Sequence, residues 1–341
     1  MMKRSRELLA YLAMITYLIA LSACKSGETS ERSPHMHQGA SGSDRFEIRF
    51  SPKWHPQAQF AGIYMAIEKG IYDQYGLDVI LAEPFSSEEA LTKLDLGEID
   101  IGHFDLSQAI LANRDSSHIV NIGQISQKNS VMLVGKRSRG ISSIRDFNNK
   151  KLGIWRRTSH IVTEAFIKEN SINIQQIPID WSVNIFIQDA VDVINVMRYN
   201  EYYQLLQAGF SEEELFIVDL CDWDLDIPDE GFYVRPAFFR EHPEVCRSFL
   251  QATIDGWLYA FSHPDEAVDL VLRIMQDANI RANRAHQSWM LEKMKDIVMP
   301  SASEIGILKR EDFDKALDLS VKYSNLDRKI SFEEFYPYAA D

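Results

Sequence analysis

The chain has 341 residues, of which 45% are hydrophobic and 25% are charged, the balance of a folded globular protein. This composition excludes a disordered chain, a collagen-like chain and a disulfide-rich miniprotein. The 36 Lys and Arg residues against 50 Asp and Glu residues give a formal net charge of −14. A protein this acidic repels phosphates, which argues against nucleic acid as a partner and, less strongly, against a polyanionic substrate.

The first 23 residues predict a lipoprotein signal peptide. Basic residues precede an apolar run at 8–21, which is shorter than the about 20 residues that a spanning helix needs. The run leads into the tetrapeptide Leu-Ser-Ala-Cys at 21–24, which resembles a bacterial lipobox and marks Cys24 as the lipid-attachment site. The alternative is an uncleaved signal anchor. We expect a lipid-anchored protein of the cell envelope that faces the periplasm or the outside.

Residues 24–44 are rich in Ser and Gly and nearly free of apolar side chains, which predicts a flexible tether. His35 and His37 lie in this tether, where solvation accounts for them better than metal binding. Two further cysteines, Cys221 and Cys246, would face an oxidising compartment, and whether they pair is left open at this stage.

The first part of the body alternates strand and helix patterns. Apolar alternation predicts strands at 46–50, 76–80 and 99–102. Apolar residues at helical spacing predict helices that end at Gly70 and at Gly97. A third helix is predicted over 106–112. Asp105 is positioned as its N-cap residue, and Gln108, three positions on, completes a capping box. This βαβαβα order within about 70 residues predicts a parallel, doubly wound sheet.

The second part repeats the pattern and then becomes helical. The sequence predicts strands at 131–135, 152–155, 191–197, 215–220 and 231–234, a helix at 201–207, and helices from Pro243 onward. The predicted domains are a first lobe from 45–133, a second lobe from 134–231, and the return of the first lobe with C-terminal helices from 232–341.

Catalytic signatures are missing from the sequence. It carries no phosphate loop, dinucleotide-binding glycine fingerprint, zinc-protease motif or nucleophile elbow, and its histidines outside the tether lack paired-ligand spacing. We therefore predict no catalytic residues, no metal and no cofactor, and favour a binding protein.

Aromatic residues are concentrated just after the predicted strands, at Trp54, Phe104, Trp155 and Tyr199. Ligands of open α/β sheets bind beyond the carboxyl ends of the strands, and aromatic faces stack on flat rings. Each of these side chains alone is equally well explained by packing. As a set, they predict a pocket.

The chain resembles the substrate-binding proteins related to thiamine-pyrimidine-precursor synthase. The opening matches the family's forms Trp-x-Pro-x5-Gly-x-Tyr at 54–64, Lys-Gly-x-Tyr at 69–72 and Gly-Leu-x-Val at 76–79. Further similar segments lie at 120–125, 132–134, 199–202, 256–264 and 283–290. The resemblance covers residues from about 46 to 300.

The resemblance implies a type II periplasmic-binding-protein fold, in which two doubly wound α/β lobes are joined by two crossover strands and close over a small molecule. It also implies an ABC permease and ATPase as partners and a monomeric receptor. By position, the ligand-binding candidates are Trp54, Gln57, Phe104, Gln124, Trp155, Tyr199 and Glu201. Glu201 would accept hydrogen bonds from an exocyclic amine of the ligand.

The chain departs from the family pattern at three places. Pyrimidine-handling relatives often have Asn and His where this chain has Gln57 and Phe60. Arg156 and Arg157 replace a small glycine-rich loop, and they either receive a carboxylate or phosphate of the ligand or face solvent. The cysteine-rich cluster and the reactive lysine of the synthase members have no counterpart here, so we predict that the protein is not an enzyme.

The predicted function is the lipid-anchored solute-binding component of an ABC importer. Its ligand would be a small heteroaromatic such as a thiamine pyrimidine precursor of the formylaminopyrimidine or hydroxymethylpyrimidine type. The alternatives are a ligand-sensing lipoprotein, a receptor for riboflavin or an alkylsulfonate, and a relative of the synthase.

Overall fold

The computed structural model describes residues 45–84, 86–113, 118–155, 161–180, 182–301, 304–324, 326 and 330–340. The predictions on the signal peptide, Cys24, the tether, Arg156 and Arg157 lie outside these ranges. The chain from Asp44 onward forms one compact unit. Within the described ranges, no helix combines the length and the apolar character needed to cross a membrane.

Ten strands in the described part of the chain form two five-stranded sheets. They are β1 Phe46–Ser51, β2 Leu77–Leu81, β3 Ile101–Asp105, β4 Val120–Gln124, β5 Val131–Lys136, β6 Lys151–Trp155, β7 Gln175–Ile179, β8 Val193–Met197, β9 Leu215–Asp219 and β10 Glu230–Val234.

Each sheet combines parallel strands with one antiparallel strand. The first lobe has the order β2-β1-β3-β10-β4, in which β1 is parallel to β2 and β3 while β10 is antiparallel to β3 and β4. The second lobe has the order β7-β6-β8-β5-β9, in which β5 is antiparallel to β8 and β9. The βαβ order predicted a parallel, doubly wound sheet, and the strands predicted at 131–135 and 231–234 enter the two sheets as their antiparallel members.

The two crossings between the lobes lie in 125–130 and 220–229. The boundaries predicted at 133/134 and 231/232 fall inside β5 and β10, but β5 pairs wholly within the second sheet and β10 wholly within the first. Both antiparallel strands are therefore the first strands formed after a crossing. Hydrophobicity marks such a strand but does not tell which sheet it joins, because both sheets accept a buried apolar strand.

The helices cover the sheets and tie the lobes together. They are α1 Ala61–Glu68, α2 Ile71–Gln74, α3 Ser87–Leu96, α4 Leu106–Ala112, α5 Ile161–Glu169, α6 Asn184–Ile187, α7 Glu201–Gln207, α8 Pro236–Glu241, α9 Pro243–Ser262, α10 Pro264–Asp277, α11 Arg284–Val298, α12 Arg310–Ser324 and α13 Phe332–Phe335. Helix α12 packs against α4 of the first lobe and α5 of the second, and its Lys322 Nζ lies 3.0 Å from Glu169 Oε1.

Glycines let α1 and α9 approach closely in the first lobe. A Cβ atom at Gly256 would lie 2.2 Å from the carbonyl oxygen of Gly62, and a Cβ at Gly62 would lie 2.3 Å from the ring of Trp257. Neither helix tolerates a side chain at the crossing, since Cβ atoms do not approach other heavy atoms this closely. The contact fixes the helix layer on the face of the first sheet.

Two helix starts are capped differently. A capping box is present at Ser211, with the Ser211 N–H donating to Glu214 Oε2 across 2.9 Å. The cap predicted at Asp105 is wrong: α4 begins at Leu106, but the Asp105 side chain makes no capping hydrogen bond and instead accepts one from Lys53. An ammonium group competes better for this carboxylate than a backbone N–H does.

The two cysteines within the described ranges are both free. Cys246 is buried in α9 of the first lobe, and Cys221 follows β9 of the second lobe. Cys221 donates its thiol proton to the carbonyl oxygen of Asn129 across 3.1 Å. The question of a Cys221–Cys246 disulfide is thereby answered: the two thiols do not pair.

Candidate ligand-binding cleft

A cavity lies between the carboxyl ends of the two sheets. We call it the aromatic cavity, and its lining residues are Lys53, Trp54, Gln57, Gln59, Trp155, Asp180, Met197, Tyr199, Asn200 and Glu201. The segment after β1 supplies the first-lobe wall, while the ends of β6, β7 and β8 supply the second-lobe wall.

The structure brings together most of the residues that the sequence singled out. Trp54 and Gln57 reach the aromatic cavity from the first lobe, and Trp155, Tyr199 and Glu201 reach it from the second. Residues that lie from 98 positions apart, as Gln57 and Trp155 do, to 147 positions apart, as Trp54 and Glu201 do, thus share one hollow. This arrangement follows the rule that ligand sites of α/β sheets form where the strands end.

Phe104 and Gln124 do not line the aromatic cavity, and we withdraw both from the site. Phe104 is 1% exposed and packs with its ring 5.9 Å from that of Tyr233. Successive side chains of a strand point to opposite faces, so Phe104 cannot share the direction of Asp105. Gln124 is fully buried, and its amide donates to the carbonyl oxygen of Glu230 across 2.9 Å. Both side chains therefore stabilise the first lobe.

Hydrogen bonds fix the side chains of the aromatic cavity. The Trp155 indole N–H donates to the carbonyl oxygen of Asn195 across 2.8 Å, which holds the ring against the second sheet. Gln57 donates its amide to Gln59 Oε1, and Gln59 donates in turn to Glu230 Oε1. Burial raises the pKa of Tyr199 well above its ordinary value, so its phenol remains neutral. The walls are thus organised before any ligand arrives.

Glu201 is the acidic group of the aromatic cavity. Its carboxylate accepts a hydrogen bond from the Met197 N–H and another from Asn200 Nδ2, each across 2.8 Å. Burial raises the pKa of Glu201 to about 7, against the opposing effect of these hydrogen bonds. A carboxylate has about four acceptor positions, and these two bonds leave acceptor capacity for an amine of the ligand.

A second cavity adjoins the first, and the sequence did not predict it. We call it the acidic cavity, and its lining residues are Lys53, Asp105, Ser107, Asn129, Ser130, Val131, Ile161, Val162, Met197, Tyr199, Ile227, Pro228, Asp229 and Glu230. The two cavities share Lys53, Met197 and Tyr199 as walls. Together they form one cleft between the lobes.

Lys53 is held by carboxylates on the first-lobe side of the acidic cavity. It donates to Asp105 Oδ1, and its Nζ lies 3.2 Å from Glu230 Oε1. Burial by itself disfavours the ammonium charge, but the attraction of Asp105 and Glu230 outweighs burial and raises the pKa of Lys53. The neighbouring His103 is neutral, since burial and Lys53 lower its pKa to about 3.

Asp229 belongs to the crossing that returns the chain to the first lobe. Its carboxylate accepts hydrogen bonds from the Ser130 N–H across 2.8 Å and from Asn129 Nδ2 across 3.1 Å. Burial and the charge of Asp105 raise the pKa of Asp229 to about 8. The crossing segments are thus tied together by the same carboxylate that lines the cavity.

One signal in the sequence pointed to Lys53 and Asp105. Both stand beside aromatic residues after strands β1 and β3, so the strand-end rule that selected Trp54 selects them as well. Asp229 and Glu230 have no such signal, because their position depends on β10 entering the middle of the first sheet.

No group of three or more His, Cys, Asp and Glu side chains is arranged for a metal ion among the residues that the structure describes.

Sequence comparison identifies the family. A profile of the family described as NMT1/THI5 like matches residues 57–267, more than half of the chain. The chain belongs to the NMT1/THI5-like family. This confirms the resemblance to the thiamine-pyrimidine-precursor proteins that the motifs at 54–79 indicated.

Relatives of this NMT1/THI5-like protein include proteins named for binding and proteins named for synthesis. The riboflavin-binding protein RibY of Chloroflexus aurantiacus is 21% identical over 243 residues, covering 69% of this chain and 68% of the relative. The formylaminopyrimidine-binding protein of Halalkalibacterium halodurans is 22% identical over 259 residues, covering 71% and 76%. The 4-amino-5-hydroxymethyl-2-methylpyrimidine phosphate synthase of Aspergillus parasiticus is 26% identical over 247 residues, covering 65% and 69%.

Solved structures confirm the fold. The periplasmic aliphatic sulphonate binding protein SsuA from Escherichia coli superposes with a TM-score of 0.68 at 14% identity, covering 86% of this chain and 92% of that one. A ligand-binding component of an ABC-type import system from Staphylococcus aureus superposes with a TM-score of 0.61 at 13% identity, covering 86% and 96%. The NMT1/THI5-like chain thus has the two-lobe α/β periplasmic-binding-protein fold.

Proposed function

We propose that this protein is the lipid-anchored solute-binding component of an ABC importer, and that it captures a thiamine pyrimidine precursor or a similar flat heteroaromatic between its lobes. The observation that carries the proposal is the aromatic cavity, in which Trp54 of the first lobe and Glu201 of the second share one hollow. A ligand that contacts both lobes favours the closed state over the open one, so lobe closure distinguishes the ligand-bound receptor from the ligand-free one.

The chemistry of the walls supports a flat ring with amino substituents. Trp54, Trp155 and Tyr199 supply aromatic surface for stacking, which is worth about 0.5–1.5 kcal/mol per ring pair beyond the buried area. Glu201 supplies charged acceptors for an exocyclic amine, and Gln57 supplies an amide. A pyrimidine that carries an amino group offers an aromatic face for stacking and an N–H donor for Glu201.

The family supports import as the use of this binding. Two relatives are named for binding riboflavin and formylaminopyrimidine, and one structural relative is named as part of an ABC-type import system. The N-terminal sequence with Cys24 favours a lipid-anchored receptor outside the cytoplasmic membrane, facing a permease and its ATPase. A monomer is sufficient, since both walls of the cavity come from one chain.

Synthesis of a pyrimidine is the second candidate function, because several relatives are named as synthases. We favour binding because the cysteine-rich cluster of the synthase members has no counterpart in this sequence. Of the cysteines in the described ranges, Cys246 is buried in α9 and Cys221 does not line either cavity. A purified protein that turns over no pyrimidine precursor and binds one tightly would support this choice.

Calorimetric titration tests the proposal. Wild-type protein is titrated with 4-amino-5-hydroxymethyl-2-methylpyrimidine, formylaminopyrimidine, riboflavin and an alkylsulfonate. We expect one of the pyrimidines to bind most tightly, and both Trp54→Ala and Glu201→Ala to weaken it about tenfold or more, since a charged hydrogen bond contributes roughly 1.5–3 kcal/mol. Trp223→Ala is the matched control, because Trp223 is 40% exposed and lines neither cavity. Equal affinity of all three variants and wild type would refute the site.

A further inference from the structure

We propose that the cleft selects ring ligands that carry a positive charge and rejects those that carry a phosphate or a sulfonate. The inference rests on the proposed function, because it concerns which member of the heteroaromatic class the same cleft accepts. It is carried by the charged side chains that line the two cavities and by the partners that these side chains already have.

Carboxylates outnumber cations along the cleft. Among the described lining residues, Lys53 is the one cation. The carboxyl groups that line one cavity or the other belong to Asp105, Asp180, Glu201, Asp229 and Glu230. Burial raises the pKa of Glu201 to about 7 and that of Asp229 to about 8, so at neutral pH each of these two contributes only part of a negative charge. Charges in a cleft with low-dielectric walls act together, and they concentrate counter-ions of the opposite sign at that place. The field of the described lining residues attracts a cation and repels an anion.

Lys53 is not available to an incoming anion. Its ammonium group donates to Asp105 and lies 3.2 Å from Glu230 Oε1, so its charge is already balanced by first-lobe carboxylates. The backbone N–H groups at the crossing are also occupied by carboxylates. The Asn129 N–H donates to Asp226 Oδ1 across 2.7 Å, and the Ser130 N–H donates to Asp229 Oδ2 across 2.8 Å. A phosphate would have to displace these bonds to find donors.

A buried oxygen of the cleft still lacks a hydrogen bond. Glu230 is 2% exposed and lines the acidic cavity, and its Oε2 has no hydrogen-bond partner among the described residues. His103 Nε2 is 3.5 Å from this oxygen without forming a hydrogen bond, and neutral His103 does not balance the charge. A buried acceptor without a hydrogen bond costs free energy, so a ligand or a bound water that donates a hydrogen bond to Glu230 Oε2 is favoured at this position.

The aromatic walls favour the same ligand charge. A cation near the face of Trp or Tyr is attracted by the negative face of the ring, whereas an anion is repelled by it. Trp155 and Tyr199 are each 6% exposed, so a ligand cation at their faces would also be largely desolvated. Aromatic faces and carboxylates in one cleft are the combination that recognises organic ammonium groups.

Three pyrimidines that differ only in charge test the inference on the purified whole chain. They are 4-amino-5-aminomethyl-2-methylpyrimidine, its neutral hydroxymethyl analogue and the phosphate ester of that analogue. We expect the aminomethyl compound to bind about tenfold more tightly than the hydroxymethyl compound, and the phosphate about tenfold more weakly, with the preference shrinking at high salt. A phosphate that binds as tightly as the neutral alcohol, or an amine with no advantage over it, overturns the inference and leaves the proposed function standing. If none of the three binds, the proposed function fails and the inference fails with it.

Variants locate the charge that makes the selection. Glu230→Gln keeps the shape of the side chain and removes its charge, and it is expected to reduce the amine-to-alcohol preference about threefold or more. Asp229→Asn is expected to change the preference little at about pH 7, because the pKa of Asp229 is raised to about 8 and its carboxyl group is mostly protonated there. Asp222→Asn is the matched control, because Asp222 is exposed and lines neither cavity. The affinity of each variant for the neutral hydroxymethyl compound shows whether the cleft of that variant is still folded and able to bind a ligand. A preference that is unchanged in Glu230→Gln, with the alcohol still bound, contradicts the assignment.

Discussion

Trp289 on α11 donates its indole N–H to the carbonyl oxygen of Arg198, across 3.2 Å, and so links the two lobes. Helix α11 packs on the first lobe through Met290 and Leu291, whereas Arg198 directly follows β8 of the second. The Trp289 ring also stacks on Tyr203 of α7, with centroids 4.9 Å apart and planes at 23°. This contact joins the lobes without touching the aromatic cavity, so it stabilises the arrangement of the lobes seen in the structure independently of the ligand.

Removing the Trp289 contact should weaken ligand binding by favouring lobe separation. Trp289→Phe keeps a ring and loses the hydrogen bond, which contributes about 0.5–1.5 kcal/mol, so we expect affinity to fall roughly two- to tenfold. Trp289→Ala removes the stack as well and should lower affinity further. Stopped-flow binding is the measurement, and the loss should appear mainly as faster ligand release. Unchanged release rates in both variants would show that Trp289 does not hold the lobes.

Lys53 should be required for stability because it balances buried carboxylates. Lys53→Met leaves Asp105 and Glu230 without a cation, and breaking a buried ion pair in this way costs about 3–5 kcal/mol. Chemical denaturation at neutral pH measures the loss. The double variant Lys53→Met with Glu230→Gln removes one of the unbalanced charges and should recover part of it. A double variant that is less stable than Lys53→Met would contradict the electrostatic explanation.

Glu201 should make the unliganded protein less stable as pH rises. Its pKa is about 7 in the folded protein and 4.5 as the ordinary value. Between these two values the folded state binds more protons than the unfolded state, so the free energy of unfolding falls by up to about 1.4 kcal/mol for each pH unit, and the loss is complete above about pH 7.

The matched comparison is Glu201→Gln, which cannot ionise. The difference in the free energy of unfolding between wild type and this variant should shift in favour of the variant as pH rises from about 5 to about 8. Asp229 acts in the same direction, because its pKa is raised to about 8, but its effect is present in both proteins and cancels in the comparison. A pH-independent difference would mean that Glu201 titrates normally.

Gly256 should be intolerant of a side chain. A Cβ atom there would lie 2.2 Å from the Gly62 carbonyl oxygen, which is rigid helix backbone, so Gly256→Ala should cost about 1–3 kcal/mol through overpacking. Gly153→Ala is the control, because its Cβ would lie 3.4 Å or more from its neighbours. Thermal unfolding of the two variants measures the contrast. Equal melting temperatures would mean that α1 and α9 adjust without cost.

The sequence predicted the local elements and the strand-end site, because both depend on short-range patterns. Helix α7 begins at Glu201 and ends at Gln207 as predicted, and Trp54 and Glu201 share the cavity that the pattern of aromatic residues indicated. These features need only apolar spacing and the rule that places ligands beyond strand ends.

The remaining features depend on pairing between distant segments. Phe104 was assigned to the site because it follows a predicted strand, but β3 extends to Asp105 and alternation turns Phe104 into the core. Asp229 and Glu230 reach the cleft only because β10 enters the first sheet between β3 and β4. No local pattern contains this register, so the acidic cavity was not predictable from the sequence.

The central claim is that one ligand contacts Trp54 and Glu201 at the same time. A crystal structure of the protein grown with 4-amino-5-hydroxymethyl-2-methylpyrimidine tests it most directly. The account predicts electron density for the ring in the aromatic cavity, stacked on an aromatic side chain and with its amino group within about 3 Å of a Glu201 oxygen. Density for the ligand at any other place, with this cavity empty, would contradict the account.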